Sequence, residues 1–338
     1  MNRIYSLVFN RALRQVQVVS EHAQRRRGST PRRAAKRGAV PAIAGLAVAL
    51  ALATAASAAL AQEMPTGGQI RGGIENIDAS NPNEMIIDQG DHLRGLIDWA
   101  SFDIGSGNAV IFQQLADAVA LNVIGDAEAS YINGNLEATG TVFLINSNGI
   151  VFGSDASVNV GGLIASTLGV DEEAFLNGQD SIAMATNGGL AQVINRGTIV
   201  ATGAQGVTLL GGHLSNTGSG IITAELGSIN LLGTQTATLS FGAGNRLSIV
   251  LDEALTGVAA GENTVVQNSG QLHTNDGRVY LSANVASGVL SSAVNQSGII
   301  NASGVDADGN GGIVLSGGGS GVGQSGSTVN GGSAFITA

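Results

Sequence analysis

The chain has 338 residues, 51 of them Gly, with no Cys and only 12% charged residues. Without cysteine there are no disulfide staples and no thiolate metal sites. Residues 1–61 carry ten basic residues and one acid, whereas the remainder carries five Arg, no Lys and 24 acids. A body so acidic cannot neutralise a phosphate backbone, which excludes nucleic acid as a partner. Apolar content is 43% but aromatic content only 4%, so a core must be built from Val, Ile, Leu and Ala.

The segment 1–61 reads as an address. A basic stretch is followed by an almost unbroken apolar run from Val40 to Leu60, which ends in Ala59-Leu60-Ala61 before Gln62. A basic segment, an apolar segment and a small-x-small end describe a secretory signal peptide, with the scissile bond expected between Ala61 and Gln62. The basic part is too long for an ordinary signal. Its Met1, Asn2, Ile4, Tyr5, Val8, Phe9, Asn10, Val19, Ser20 and Glu21 occur in the order seen in the extended signal-peptide region of very large exported proteins of Gram-negative bacteria, which it closely resembles. That resemblance implies the Sec machinery as a partner at the inner membrane.

From Gln62 onward, short β-branched strands alternate with Gly and Asn turns. Four segments line up on Asn195, Asn216, Asn268 and Asn295, each reading Asn, Gly, strand, polar turn, strand. The step from Asn195 to Asn216 suits a single coil. The step from Asn216 to Asn268 is more than twice as long, which reads as two coils with an insertion. The stretch Tyr131–Gly153 has the same form, with turn signals at Asn133-Gly134 and Asn148-Gly149, where positive φ is expected. Self-similarity at this period is the mark of a solenoid, and the strand composition makes it a β-solenoid. About 13 coils and a rod of roughly 60 Å follow if every coil takes about 21 residues, less whatever insertions consume. Insertions are expected at Asp171–Leu176, as a short helical loop, and at Asp252–Glu262. Gln69–Gly95 is the expected N-terminal cap, since an open stack exposes strand edges. The Gly/Ser-rich residues 311–338 read as a flexible tail. The expected division is therefore 1–61 extended signal peptide, 62–310 β-solenoid and 311–338 tail.

Several ordered motifs between Gly72 and Leu176 go further. They are Asn81-Pro82-Asn83, Ile97-Asp98-Trp99 with Ser101-Phe102 and Ile104-Gly105, Ala118 to Asn122, Val142 to Gly153, and Val158 to Thr167. Together they resemble the N-terminal secretion domain of filamentous-haemagglutinin-type exoproteins, the haemagglutination activity domain. The resemblance implies an all-β, right-handed parallel β-helix. It implies two-partner secretion, in which a dedicated outer-membrane β-barrel transporter recognises the domain and passes the chain to the surface. It also implies a secreted or cell-surface location reached through the periplasm, and a mature role in adhesion or haemagglutination, with a host-cell surface or glycans as target. The family's Asn-Pro-Asn-Gly-Ile motif corresponds to Asn146, Ser147, Asn148, Gly149 and Ile150. Here Ser147 stands in place of Pro, so the turn loses a fixed φ. Asn81-Pro82-Asn83 is the nearest match to the second motif. Both are expected transporter-recognition elements, against the plainer reading that they only build turns.

β-Helices also include polysaccharide-cleaving enzymes, so a carbohydrate-active enzyme is the competing reading, alongside a secretion module that lacks its effector region. Such sites need clustered carboxylates with basic partners. Arg71, Arg94, Arg196, Arg246 and Arg278 are scattered, and so are His92, His213 and His273, which read as surface or turn residues. Asp306, Asp308, Asn310 and Gly311 begin like a calcium loop but lack its closing Glu, so a polar turn is the better account. Trp99, beside Phe102, reads as core. No catalytic residue, metal site or cofactor is expected.

Overall fold

The computed structural model describes residues 63–186, 190–242, 247–259, 261–275, 277–302, 312–317, 321–324, 328–331 and 333–337, together with the backbone of two strands in the leader. Met1–Ala51 and Leu52–Ala338 form separate compact units. In the first, Tyr5–Asn10 and Gln15–Ser20 pair as an antiparallel hairpin. Ala59, Ala61 and Gln62, the expected cleavage residues, lie outside the described residues, as does the Asp306–Gly311 stretch.

The second unit is a parallel β-helix with three faces. On the first face, Ala109–Gln113, Asn135–Ala138 and the start of Ser157–Ser166 stack in parallel register, and the stack continues through Ile221–Ala224 to Ile299–Ala302. On the second face the ladder runs from Arg94–Trp99 through Val119–Ile124 and Thr141–Ile145 to Ile229–Gly233 and Val279–Ala283. The third face is narrower and starts at Ser130–Ile132, Ile150–Phe152 and Gln192–Asn195. Val142 pairs with Ala120 on one side and Leu163 on the other, so one coil takes about the spacing from Asn195 to Asn216, as the sequence suggests.

Alternation explains why the stack holds. Inward side chains such as Val110, Leu136, Val158, Ile199, Ile222, Leu272 and Ile300 form one continuous dry column. Each coil can bury its apolar side only against the coils above and below it. Trp99 belongs to this core, as expected: it meets Phe102 edge-on at 5.4 Å and donates its indole N–H to Asn122 Oδ1 at 2.9 Å.

The N-terminal edge is closed as anticipated. Gln69–Gly72 runs antiparallel to Arg94–Trp99, and Asn76–Asn81 runs antiparallel to Glu84–Asp88. Antiparallel strands end the parallel ladder, so the stacked coils present no parallel edge there.

Several expectations need correction. Asn216 and Asn268 are direct partners on adjacent coils, so the chain between them is one coil with a long insertion, not two. The fourth repeat is shifted by one: Gln296, not Asn295, stands in line with Asn268. The stack does not stop at 310, because Gly312–Ser316, Gly321–Gln324, Thr328–Gly331 and Ser333–Thr337 add strands to all three faces. Even so, the second face has nine parallel strands among the described residues, a length of about 38 Å rather than roughly 60 Å.

The missing residues went into a second layer. Gly169–Val170, Ser181–Ala185, Thr236–Phe241 and Leu247–Leu251 form an antiparallel sheet drawn from two insertions. A short helix α1, Glu172–Leu176, lies in the first insertion, where a helical loop was expected, and Asp171 caps it by accepting from the Ala174 N–H. This layer covers the outer side of the second face. Leu121, Phe143 and Ile164 point outward there and meet Phe175, Ile182, Leu239 and Phe241 in a second apolar core. Arg94 lies 4.4 Å from the Phe241 ring centre and gives N–H bonds to the carbonyls of Phe175 and Gln179.

Candidate recognition surface

The two motifs singled out in the sequence occupy different corners. Asn81-Pro82-Asn83 is the exposed tip of the cap hairpin, where the Asn83 N–H bonds Asn81 Oδ1 at 3.1 Å and the Asn83 carbonyl accepts from the Ala109 N–H at 2.9 Å. It therefore sits at the entrance to the first face. Asn146–Ile150 sits between the second and third faces, joining Thr141–Ile145 to Ile150–Phe152. The structure does not bring them together into one site.

The second corner is built around a single buried amide. Asn146 is 0% exposed. Its Nδ2 donates to the Glu128 carbonyl at 3.1 Å and to Ser130 Oγ at 3.0 Å, and it faces Asp126 Oδ1 at 3.4 Å. Its Oδ1 accepts the Asn148 N–H at 2.9 Å, the side-chain bond of an Asx turn. Asn148 Nδ2 in turn donates to the Asp126 carbonyl at 2.8 Å. These bonds tie the corner to the one directly above it, Gly125 to Ala129. Gly149 has φ +120, as the Asn-Gly signal anticipated, and an added Cβ would lie 3.1 Å from the Gln192 carbonyl. Ser147 is half-buried and Asn148 exposed, so these two face solvent while Asn146 and Ile150 do not.

The first turn signal works differently. Gly134 has no left-handed backbone; a Cβ there would come within 2.4 Å of the Asn108 and Gly105 carbonyls. Glycine is needed for close approach between stacked corners, and the same holds at Gly270 and Gly298, whose Cβ atoms would lie 2.2 and 2.1 Å from carbonyls of neighbouring coils.

A feature only half visible in the sequence is an internal amide ladder at the exit of the third face. Asn195 Nδ2 donates to Asn216 Oδ1 at 2.9 Å, Asn216 to Asn268 at 2.8 Å, and Asn268 to Gln296 Oε1 at 2.8 Å. Gln296 in turn donates to the Gly298 carbonyl at 3.0 Å. The recurring Asn was the signal; its burial and its pairing from coil to coil were not legible.

Carboxylates crowd the same side of the molecule. Burial pushes the Asp103 carboxyl up, against the bond it accepts from the Tyr131 N–H, and neighbouring Glu63 and Asp126 push in the same direction. Asp126 is also raised, first by burial and further by Glu128, against the bonds from Asn146 and the Glu128 N–H. His213, expected at the surface, is 2% exposed: its Nδ1 lies 3.0 Å from the Thr264 carbonyl and its Nε2 3.7 Å from Glu262. His92 is exposed beside Glu75 and Asp91, whose ligand atoms come within 4.8 Å of one another. That grouping was not foreseen, because a whole cap hairpin separates Glu75 from Asp91 in the sequence.

With the geometry in hand, comparisons with known proteins are specific. Residues 56–330 match the family of the TPS secretion domain, and residues 1–60 match the extended signal peptide of the type V secretion system. A heme/hemopexin-binding protein of Haemophilus influenzae is 32% identical over 234 residues, covering 66% of this chain and 24% of that protein. A second heme/hemopexin-binding protein of the same species is 42% identical over 96 residues, 28% of this chain and 10% of that one. The chain thus spans about a quarter of the length of the first of these curated relatives. The crystal structure of the HMW1 secretion domain from Haemophilus influenzae superposes with a TM-score of 0.65 at 28% identity, covering 79% of this chain and 66% of that one. The family match over most of the chain and the superposition of its β-helix point the same way: the chain belongs to the TPS secretion-domain family, with an extended signal peptide of type V secretion at its N-terminus.

Proposed function

We propose that the β-helix is the export determinant of an exoprotein whose outer-membrane β-barrel transporter recognises it through the Asn146–Ile150 corner, with Asn81-Pro82-Asn83 as a second element. Two-partner secretion, export through the periplasm and a secreted, cell-surface destination follow from family membership. The observation that carries the finer reading is the division of labour at the corner: buried Asn146 shapes the turn, and Ser147 with Asn148 is presented to solvent. On this reading Asn146 acts by holding the others in place, not by touching the partner. The mature role is a non-enzymatic surface interaction, adhesion being the role that the haemagglutinin-type motifs support. What the Haemophilus relatives are named for belongs to proteins far longer than the segment they share with this chain.

The test is to delete the transporter and follow the chain at the surface and in the medium. Loss of release with accumulation in the periplasm is expected; undiminished release would overturn the reading. Within the corner, Ser147→Pro should secrete at least as well as the natural chain, because Pro presets a turn φ.

A further inference from the structure

Glu75 stands just before the first strand of the cap hairpin, and Asp91 and His92 stand in the turn just after its second. Antiparallel pairing of Asn76–Asn81 with Glu84–Asp88 brings the chain back to where the hairpin began, and the Glu75 N–H donates to the Asp88 carbonyl at 2.8 Å. One carboxylate oxygen of each acid and one imidazole nitrogen of His92 thereby come within 4.8 Å of one another. All three side chains are exposed. The ion pairs among the described residues are Arg71–Asp98 and His213–Glu262, so no arginine there neutralises Glu75 or Asp91. Arg94, close by in sequence, turns its guanidinium to the Phe241 ring and the Phe175 carbonyl instead.

The turn that carries Asp91 and His92 is pinned from inside. Gln89 is fully buried, and its Nε2 donates to the His92 carbonyl at 2.8 Å and to the Val119 carbonyl at 3.2 Å. Asp88 Oδ1 accepts the Gly90 N–H at 2.9 Å. Gly90 has φ +57, and a Cβ there would stand 2.3 Å from Glu75 Oε1, so the absent side chain lets the Glu75 carboxylate lie over the turn. A small divalent ion holds nitrogen and oxygen ligands at about 2.0–2.2 Å, which sets them about 3–4 Å apart. Rotation of exposed side chains closes the difference. Carboxylates alone would suit Ca²⁺ or Mg²⁺, which take oxygen ligands, whereas the imidazole nitrogen shifts preference to a first-row transition ion.

We propose that Glu75, Asp91 and His92 form a binding site for a divalent transition ion of the Zn²⁺ class, and that the bound ion clasps the two ends of the cap hairpin. The site stands apart from the transporter reading above and does not rest on it. Its ligands meet only when the hairpin is paired, so the ion binds the folded cap in preference to the open chain. The clasp acts at the end of the stack, where the antiparallel cap replaces a preceding coil.

The experiment uses the untagged secreted chain, stripped of ions with a chelator and titrated with Zn²⁺ in a calorimeter. Saturable binding at one site is expected, and an equal concentration of Ca²⁺ should not compete. Glu75→Gln and His92→Gln should each weaken Zn²⁺ binding about tenfold or more. His273→Gln, on a strand of the first face away from the cap, should leave it unchanged. With Zn²⁺ at about 100 times its Kd, the unfolding temperature should rise by about 3 °C or more. Amides of Asn76–Asn81 should then exchange about tenfold more slowly, and neither effect should occur in the Glu75 and His92 variants. Both positions are exposed, so without the ion these variants should unfold at the temperature of the natural chain. Absence of saturable Zn²⁺ binding, or binding equally strong in both variants, would overturn the site. Binding that leaves exchange in the hairpin unchanged would overturn the clasp.

Discussion

Replacing Asn146 by Ile takes away the acceptor for the Asn148 N–H and the donor to Glu128 and Ser130 of the coil above. The site is fully buried, so groups left unpaired there cannot turn to water. A loss of about 2–3 kcal/mol in urea unfolding of the refolded protein is expected, together with impaired secretion. An unaltered midpoint would show that the corner is held by other means. Titration should expose the carboxylates nearby. Asp103 and Asp126 are both raised, chiefly by burial. An acid with a raised folded pKa favours the folded state fully below its unfolded value, and that contribution is lost as pH rises through the folded one. Asp103→Asn and Asp126→Asn, which keep an acceptor oxygen, should therefore raise the unfolding temperature at pH 7 and give no gain below about pH 4.

Among the elements, the amide ladder and the outer sheet do different work. Asn216 both accepts from Asn195 and donates to Asn268, so Asn216→Leu strands a donor on one side and an acceptor on the other. It should cost about 2–4 kcal/mol in thermal unfolding, and Gln296→Leu, which strands the Asn268 donor, about half as much. Equal costs would mean that the ladder does not act as a series. The outer sheet rests on aromatic packing: Phe143 stacks near Phe241 at 6.4 Å and meets Phe175 at 6.2 Å. Phe143→Ala, fully buried, should cost about 3–5 kcal/mol, with the outer layer loosening first in hydrogen exchange.

For the molecule as a whole, stability is a sum of coil-to-coil contacts, so opening should begin at an end. Amides of Ile299–Ala302, one strand from the last described rung of their face, are expected to exchange at least tenfold faster than those of Thr141–Ile145, which lie deeper in the stack and have a second layer outside. The same nearest-neighbour logic explains what could be read in advance. The β-solenoid was legible because four segments repeat an amide, Gly and alternating strands; the short third strand of each coil was not read from the sequence. The antiparallel cap was legible because a stack needs an end. Coil number was not, because the insertions at 167–191 and 234–265 have the same short-strand composition as the coils they interrupt. Thr236–Phe241 and Leu247–Leu251 look like two more rungs, and only pairing partners reveal a separate sheet. The shift from Asn295 to Gln296 was hidden because both residues carry an amide and are adjacent. His213 read as surface because its burial against Thr264, far along the chain, leaves no local trace.

The amide ladder also has a direction. From Asn195 to Gln296 every side chain passes its N–H to the neighbour nearer the C-terminus. A partly built stack therefore always ends in an amide nitrogen that waits for the oxygen of the coil to come. Chain that emerges N-terminus first meets a ready donor at each step, whereas growth from the other end would present an acceptor instead. A stack closed coil by coil from the N-terminal side would therefore gain one side-chain amide bond at each of these steps, and each such bond opposes reopening of the coil before it.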